Sequence, residues 1–245
     1  MEEVLIITGG SKGIGKGIVD AYLKNQVRVF SIARTLNPEL SKTGVTQIEL
    51  DLTETDKVEE GLLKIFDLLE PAKISKITFI NNAGSLGKIG PLEKLDLATI
   101  TKTINLNTTV PFLCSAIFVD QTKEWEAKRT IINISSGAAL KPYFGWSVYC
   151  GTKAAINMLT QTLALEQADV ENGVRVLAIA PGVVDTDMQA EIRQSNQDDF
   201  KDVERFVALK KDGGLNDAAS VGAKIFEMDQ DENIASGSIL RVEGK

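Results

Sequence analysis

The 245-residue chain contains no histidine. Histidine is the side chain whose unperturbed charge change falls nearest neutral pH, so its absence removes the usual base of a serine hydrolase. The stretch Gly9-Gly10-Ser11-Lys12-Gly13 spells the Gly-x-Ser-x-Gly of a nucleophile elbow, but without that base Ser11 loses most of its claim to be a nucleophile. Cysteine is nearly absent too. Cys114 and Cys150 stand far apart with no Cys-x-x-Cys spacing, which signals neither a zinc site nor a disulfide framework; Cys114 reads as a small buried hydrophobe. No apolar run approaches the ~20 residues of a membrane span, and the longest, VPFLCSAIFV from Val110, predicts a buried helix. Positive charge is also short: 27 Lys and Arg against 34 Asp and Glu give a net charge of -7. No basic stripe is present to follow a phosphate backbone, so neither a nucleic acid nor a membrane is expected as a partner. The opening MEEVLIITGG carries two acids where a secretory leader needs basic residues, and a cytoplasmic protein is expected.

What is present is a regular alternation. Short β-branched runs at 4–8, 27–33, 45–50, 77–81, 130–135, 174–180 and 238–242 read as strands buried on both faces. Between them lie helix-like stretches such as KVEEGLLKIFDLLE, where Val58, Leu62, Leu63, Phe66 and Leu69 share a face and Pro71 is expected to end the helix. Strands alternating with helices predict an α/β fold, a doubly wound parallel sheet with helices on both faces. With no repeat or linker, one domain over residues 1–245 is expected, and the polar stretch 182–216 reads as a loop or short-helix excursion rather than core. In such sheets ligands bind beyond the carboxyl ends of the strands, which directs attention to the residues after each one.

After the first strand comes Thr8-Gly9 and then Gly13-Ile14-Gly15, opening an apolar-periodic helix. Glycines at these points bring backbone N–H groups and a helix N-terminus onto a pyrophosphate, so Thr8, Gly9, Ser11, Lys12, Gly13, Ile14 and Gly15 form a candidate dinucleotide cradle; a tight turn with no ligand is the alternative. A site selective for NAD puts an acid at the end of the second strand. Here Ala33 and Arg34 stand there, which points to NADPH, with Arg34 and Lys12 meeting the 2′-phosphate or else serving as plain surface cations. Asp51 with Leu52, and Asn82-Ala83-Gly84, follow the next two strands and face the adenine and ribose side.

Tyr149 and Lys153 lie four apart at the start of a long helix, so their side chains share a face. A nearby ammonium stabilises phenolate and lowers its pKa, making tyrosine a usable proton donor. Ser136, at the end of the fifth strand, can reach the same pocket and bond a substrate carbonyl.

With Thr8-Gly9 to Gly15, Asn81 to Gly84, Ser136, Tyr149 to Lys153 and Pro181-Gly182 in this order, the sequence resembles the short-chain dehydrogenase/reductase family over nearly its whole length. The resemblance implies a Rossmann-type fold and hydride transfer between a nicotinamide and a small-molecule carbonyl or alcohol. It makes Tyr149 the general acid, Ser136 the group that orients the carbonyl, and Lys153 the ribose-binding residue that tunes Tyr149. Asn107 becomes the asparagine that holds a relay water, with Asn105 the alternative register. Pro181, Gly182, Val184 and Thr186 would meet the nicotinamide carboxamide. The family's twelve residues between serine and tyrosine select Ser136 over Ser135. Within the family, NNAGSLG, NISSGAALKPYFGWSVYCGTKAA and PGVVDTDMQ are similar to the sepiapterin and benzil reductases, which use NADPH on vicinal dicarbonyl compounds; Arg241 stands where a pterin-anchoring acid is expected. A 3-oxoacyl substrate, or a cofactor-binding sensor without catalysis, is the competing reading. Tyr143, Phe144, Trp146 and Met188 are candidates for an aromatic substrate wall, or pack a loop onto the body. Asp185, Asp187, Gln189 and Arg193 lie on a segment expected to close over the cofactor. The family's habits imply a homo-oligomer, a dimer or tetramer.

Overall fold

The computed structural model describes residues 1–242; the last three residues of the expected 1–245 domain lie outside the described part. Seven parallel strands form one sheet: β1 (Glu2–Thr8), β2 (Arg28–Ala33), β3 (Thr46–Glu49), β4 (Ile74–Asn81), β5 (Lys128–Ile134), β6 (Arg175–Ala180) and β7 (Ile239–Arg241). Their order is β3-β2-β1-β4-β5-β6-β7, the doubly wound Rossmann-type arrangement. All seven strand segments read from the sequence are present.

Side chains alternate along each strand, and the two sets feed two cores. Val4, Ile6, Ile77, Phe79, Ile131 and Val176 pack on one face, covered by α2 (Val58–Phe66), α4 (Val110–Thr122) and α5 (Ser147–Glu166). Leu5, Ile7, Ile80, Ile132, Leu177 and Ile179 pack on the other, under α1 (Gly13–Lys24) and α8 (Ala218–Gln230). The remaining helices are α3 (Leu97–Ile104), α6 (Asp187–Arg193) and α7 (Val203–Lys211). Helix α2 stops at Phe66, well before Pro71, because Leu68 and Leu69 donate to carbonyls three residues back and close a tight turn; Pro71 instead opens a separate 3₁₀ turn. Ile65 takes the core position that the spacing gives to Leu63.

The 182–216 stretch makes the short helices expected of it but departs from expectation in being core. It forms α6 and α7, and Ile192, Phe200, Val203 and Phe206 join Leu86, Trp146 and Tyr149 in a third apolar cluster beyond the strand ends. Phe200 is 0% exposed. Its few apolar residues sit where two short helices and the turn between them point inward, so a polar average conceals a core.

Candidate functional site

The carboxyl ends of β1, β4, β5 and β6 lie side by side in the sheet, and the glycine loop follows the first of them. Asn82 holds that loop in place: its Nδ2 donates to the carbonyls of Thr8 (2.9 Å) and Gly9 (3.0 Å). The Thr8 hydroxyl in turn accepts from the backbone N–H groups of Asn82 and Ala83. Asn82 therefore spends its amide on the scaffold, not on the adenine side. Glycine is required where the loop is tightest. A Cβ on Gly15 would lie 2.0 Å from the Gly9 carbonyl oxygen, and Gly13 has a φ of +54°, a left-handed conformation other residues avoid. The N-terminus of α1 is left open: Lys12 caps nothing with its side chain, and the first turn holds no acid. Its free N–H groups and the shaved loop suit a pyrophosphate.

Beside the loop, Asn37 Nδ2 donates to the Ser11 carbonyl at 2.8 Å, bringing the turn after β2 against it. Arg34 is exposed there. Asp51 accepts from the N–H and hydroxyl of Thr53, and those bonds hold its carboxyl below the usual range, with Arg34 adding a smaller pull. Leu52 is buried in the core below. Lys12, expected to be available to a phosphate, instead pairs with Asp187 at 2.8 Å.

Helix α5 brings the second half of the site. Tyr149 and Lys153, 8% and 6% exposed, lie one turn apart on its inner face. Ser136 Oγ accepts from the Ala138 N–H at 3.1 Å and lies close enough to the Tyr149 phenol to pull its pKa down. Lys153 Nζ donates to the Ile134 carbonyl at 2.8 Å and stands 5.9 Å from the centroid of the Tyr149 ring. Asn107, 1% exposed, projects from a π-helical turn at Asn105–Thr109. Its amide donates to the Ser85 carbonyl (2.7 Å) and to Thr152 Oγ1, while its oxygen accepts from the Ser85 N–H. A Cβ built on Gly84 would meet both Asn107 Oδ1 (3.3 Å) and Lys153 Nζ (3.7 Å), so these groups converge on one point. Asn105, the alternative register, turns to Thr109.

The expected lowering of the Tyr149 phenol is not found in the ligand-free site. Burial pushes it above its ordinary value, more than Ser136 pulls it down. Burial also pushes the Lys153 ammonium down to about 8. In both, burial works against the charged form.

The short chain dehydrogenase family signature matches residues 3–197. The chain belongs to the short-chain dehydrogenases. It is 37% identical over 245 residues to a Bacillus cereus benzil reductase ((S)-benzoin forming), covering 98% of each chain. It is 32% identical over 252 residues to the Rattus norvegicus sepiapterin reductase, covering 96% of this chain and 94% of that one. Among solved structures it is similar to ElxO with NADP bound: TM-score 0.80, 26% identity, covering 99% of this chain and 97% of that one. The protein is thus an oxidoreductase of this family.

In this dehydrogenase an aromatic cluster packs beside Tyr149. Trp146 stacks on Phe200 with centroids 4.6 Å apart, stands edge-on to Tyr149 at 5.5 Å, and packs on Phe206 at 5.7 Å. Trp146 is therefore mostly a pillar of the cluster and little of an open wall. Tyr143 leans on it at 5.0 Å and its hydroxyl accepts from Arg205; Phe144 faces outward beneath Lys201. Met188 packs at the cluster's margin. Pro181 is buried and Gly182 turns the chain with a φ of +77°. Val184 bridges to Asn216, and Thr186 caps α6 with its methyl beside Gly13.

Several supporting residues escape the sequence reading. Ser85 and Thr152 fix Asn107, and Ser135 Oγ donates to Asn157 Oδ1 at 2.6 Å, locking α5 to β5 directly beneath Ser136. Asn157 stands four residues beyond Lys153, so helical spacing alone was a usable signal for it. No such signal marks Ser85, which reaches Asn107 across the fold.

Proposed function

We propose that this short-chain dehydrogenase is an NADPH-dependent reductase of vicinal dicarbonyl compounds. The observation that carries the reading is the pair of buried side chains Tyr149 and Lys153 one turn apart at the start of α5, with the half-buried Ser136 just beyond β5 on the phenol's side. In this reading the Ser136 hydroxyl holds the carbonyl oxygen, and Tyr149 gives that oxygen its proton as carbon is reduced. Because burial raises the phenol, Tyr149 starts protonated across the neutral range, as an acid must. The charge left on its oxygen is stabilised by the Lys153 ammonium, which is cationic below about pH 8. Lys153 also takes the nicotinamide ribose hydroxyls, and Asn107, on its π-helical turn, holds the water that returns a proton to Tyr149. Thr8, Gly9, Ser11, Gly13, Ile14 and Gly15 hold the pyrophosphate, Asp51, Leu52, Ala83 and Gly84 border the adenosine half, and Pro181, Gly182, Val184 and Thr186 border the nicotinamide. The bound reduced nicotinamide supplies the hydride.

Arg34 and Lys12, with no acid at the end of β2, support NADPH over NADH, as does the NADP held by the similar ElxO. The likeness to benzil and sepiapterin reductases supports a dicarbonyl substrate. Arg241, exposed at the end of β7, favours a neutral diketone over a pterin. Phe112, Met158 and Leu165 leave apolar side chains exposed on α4 and α5, which supports burial against a second copy in a dimer or tetramer. No helix among the described residues is long and apolar enough to cross a membrane, and the two free thiols suit the reducing cytoplasm.

NADPH oxidation measured with benzil, isatin, sepiapterin, a 3-oxoacyl thioester and simple aldehydes tests the reading. The diketones are expected to turn over fastest, and Tyr149→Phe to lose about a thousandfold in turnover with cofactor titration unchanged. Undiminished turnover in Tyr149→Phe overturns the mechanism, and an aldehyde or thioester outpacing every diketone overturns the substrate class. NADPH binding without turnover of any compound favours the sensor.

A further inference from the structure

The contact between the glycine loop and α6 bears on cofactor choice. Lys12 Nζ donates to Asp187 Oδ2 at 2.8 Å, joining the glycine loop to the first turn of α6, and the adjacent Thr186 methyl rests against Gly13. The second cation on this side, Arg34, acts on Asp51. Lys12 is thus already paired with a carboxylate, whereas Arg34 only feels one at longer range. The two carboxylates also differ. Asp51 is fixed by two bonds from Thr53, whereas the Asp187 carboxylate has Lys12 as its only side-chain partner among the described residues. The Lys12 and Asp187 side chains are 76% and 83% exposed, so the pair is weak and readily exchanged. A phosphate monoester near neutral pH carries nearly two negative charges; it outbids one carboxylate for a single ammonium and repels that carboxylate once the ammonium is shared.

We propose that Asp187 is a specificity-determining residue for the cofactor: its carboxylate holds Lys12 before cofactor enters and opposes a 2′-phosphate, which must take Lys12 from it. This rests on the reading that Lys12 meets the 2′-phosphate. A cofactor without that phosphate leaves the pair intact. NADPH therefore unties the first turn of α6 from the glycine loop and NADH does not, which links the identity of the cofactor to the freedom of the segment leading to Met188.

The test titrates the full chain with NADPH, NADH, 2′,5′-ADP and ADP in four forms: wild type, Asp187→Asn, Lys12→Met and the double variant. Asp187→Asn keeps the side-chain shape at the start of α6 while removing its charge. It is expected to tighten NADPH and 2′,5′-ADP by about three- to tenfold, the scale of an exposed charge pair, and to leave NADH and ADP within about twofold. In the Lys12→Met background that gain is expected to vanish. If Lys12→Met erodes the preference for NADPH but Asp187→Asn leaves it unchanged, weakens it, or shifts all four nucleotides equally, Asp187 has no part in the choice. If Lys12→Met leaves the preference intact, the reading of Lys12 fails first and the proposal falls with it.

Discussion

On the glycine-loop side of the strand ends the backbone is pinned by short polar side chains: the Asn82 amide spans two loop carbonyls, the Thr8 hydroxyl accepts two N–H groups, and at Gly15 there is no space for a methyl. On the side of α6 and α7 it is held by rings, with Trp146, Phe200 and Phe206 stacked or tilted within 6 Å of one another. A backbone-built wall has one shape, because moving any atom breaks a bond that has no substitute. A ring-built wall has many near-equivalent shapes, since apolar contacts are non-directional and volume-conserving swaps are tolerated. The first suits a ligand that never changes, the second a substrate that differs between relatives.

The sharpest way to break this contrast is a methyl in the wrong wall. Gly15→Ala is expected to cost about a hundredfold or more in cofactor affinity by titration, since its Cβ would fall 2.0 Å from the Gly9 oxygen and move the loop off the pyrophosphate. Retention of wild-type affinity would mean that the loop is as forgiving as the cap. Phe200→Ala strikes the other wall. A fully buried ring in the cluster centre is expected to cost about 3–5 kcal/mol, read as a fall in Tm, with substrate KM raised and cofactor affinity nearly unchanged; equal losses in both would show one rigid unit. The smallest effect lies where the walls meet. With Lys153 pushed down to about 8, its cation is present below that pH and is lost as pH rises through it. The free-enzyme profile kcat/KM is therefore expected to decline above about pH 8, while Tyr149, held up by burial, sets no limb below that point. A flat profile to pH 10 would place Lys153 in a wetter site than its burial implies.

The same contrast explains what could be read in the chain. The turn after β1 was legible because glycines at fixed spacing leave few other ways to shape a backbone, and the helical repeat put Tyr149 and Lys153 on one face, while their roles came only with Ser136 and the family resemblance. Seven strands followed from their β-branched runs. The cap was not legible. Phe200 and Phe206 lie in a stretch whose average is polar, and their partners are Leu86 and Trp146, more than fifty residues away in sequence. Neither the Lys12–Asp187 pair, 175 residues apart, nor the sign of the Tyr149 shift could be read locally, because each depends on how the fold buries or exposes a group.

The stacked Trp146 also makes the molecule its own optical instrument. The chain has two tryptophans, and the other, Trp125, packs on Phe66 just ahead of β5, at the far end of the strands. With Trp125 replaced by phenylalanine, a single indole remains, 5.5 Å from the Tyr149 ring. Its emission would then report occupancy of the proposed site directly, with no dye attached and no coloured product required.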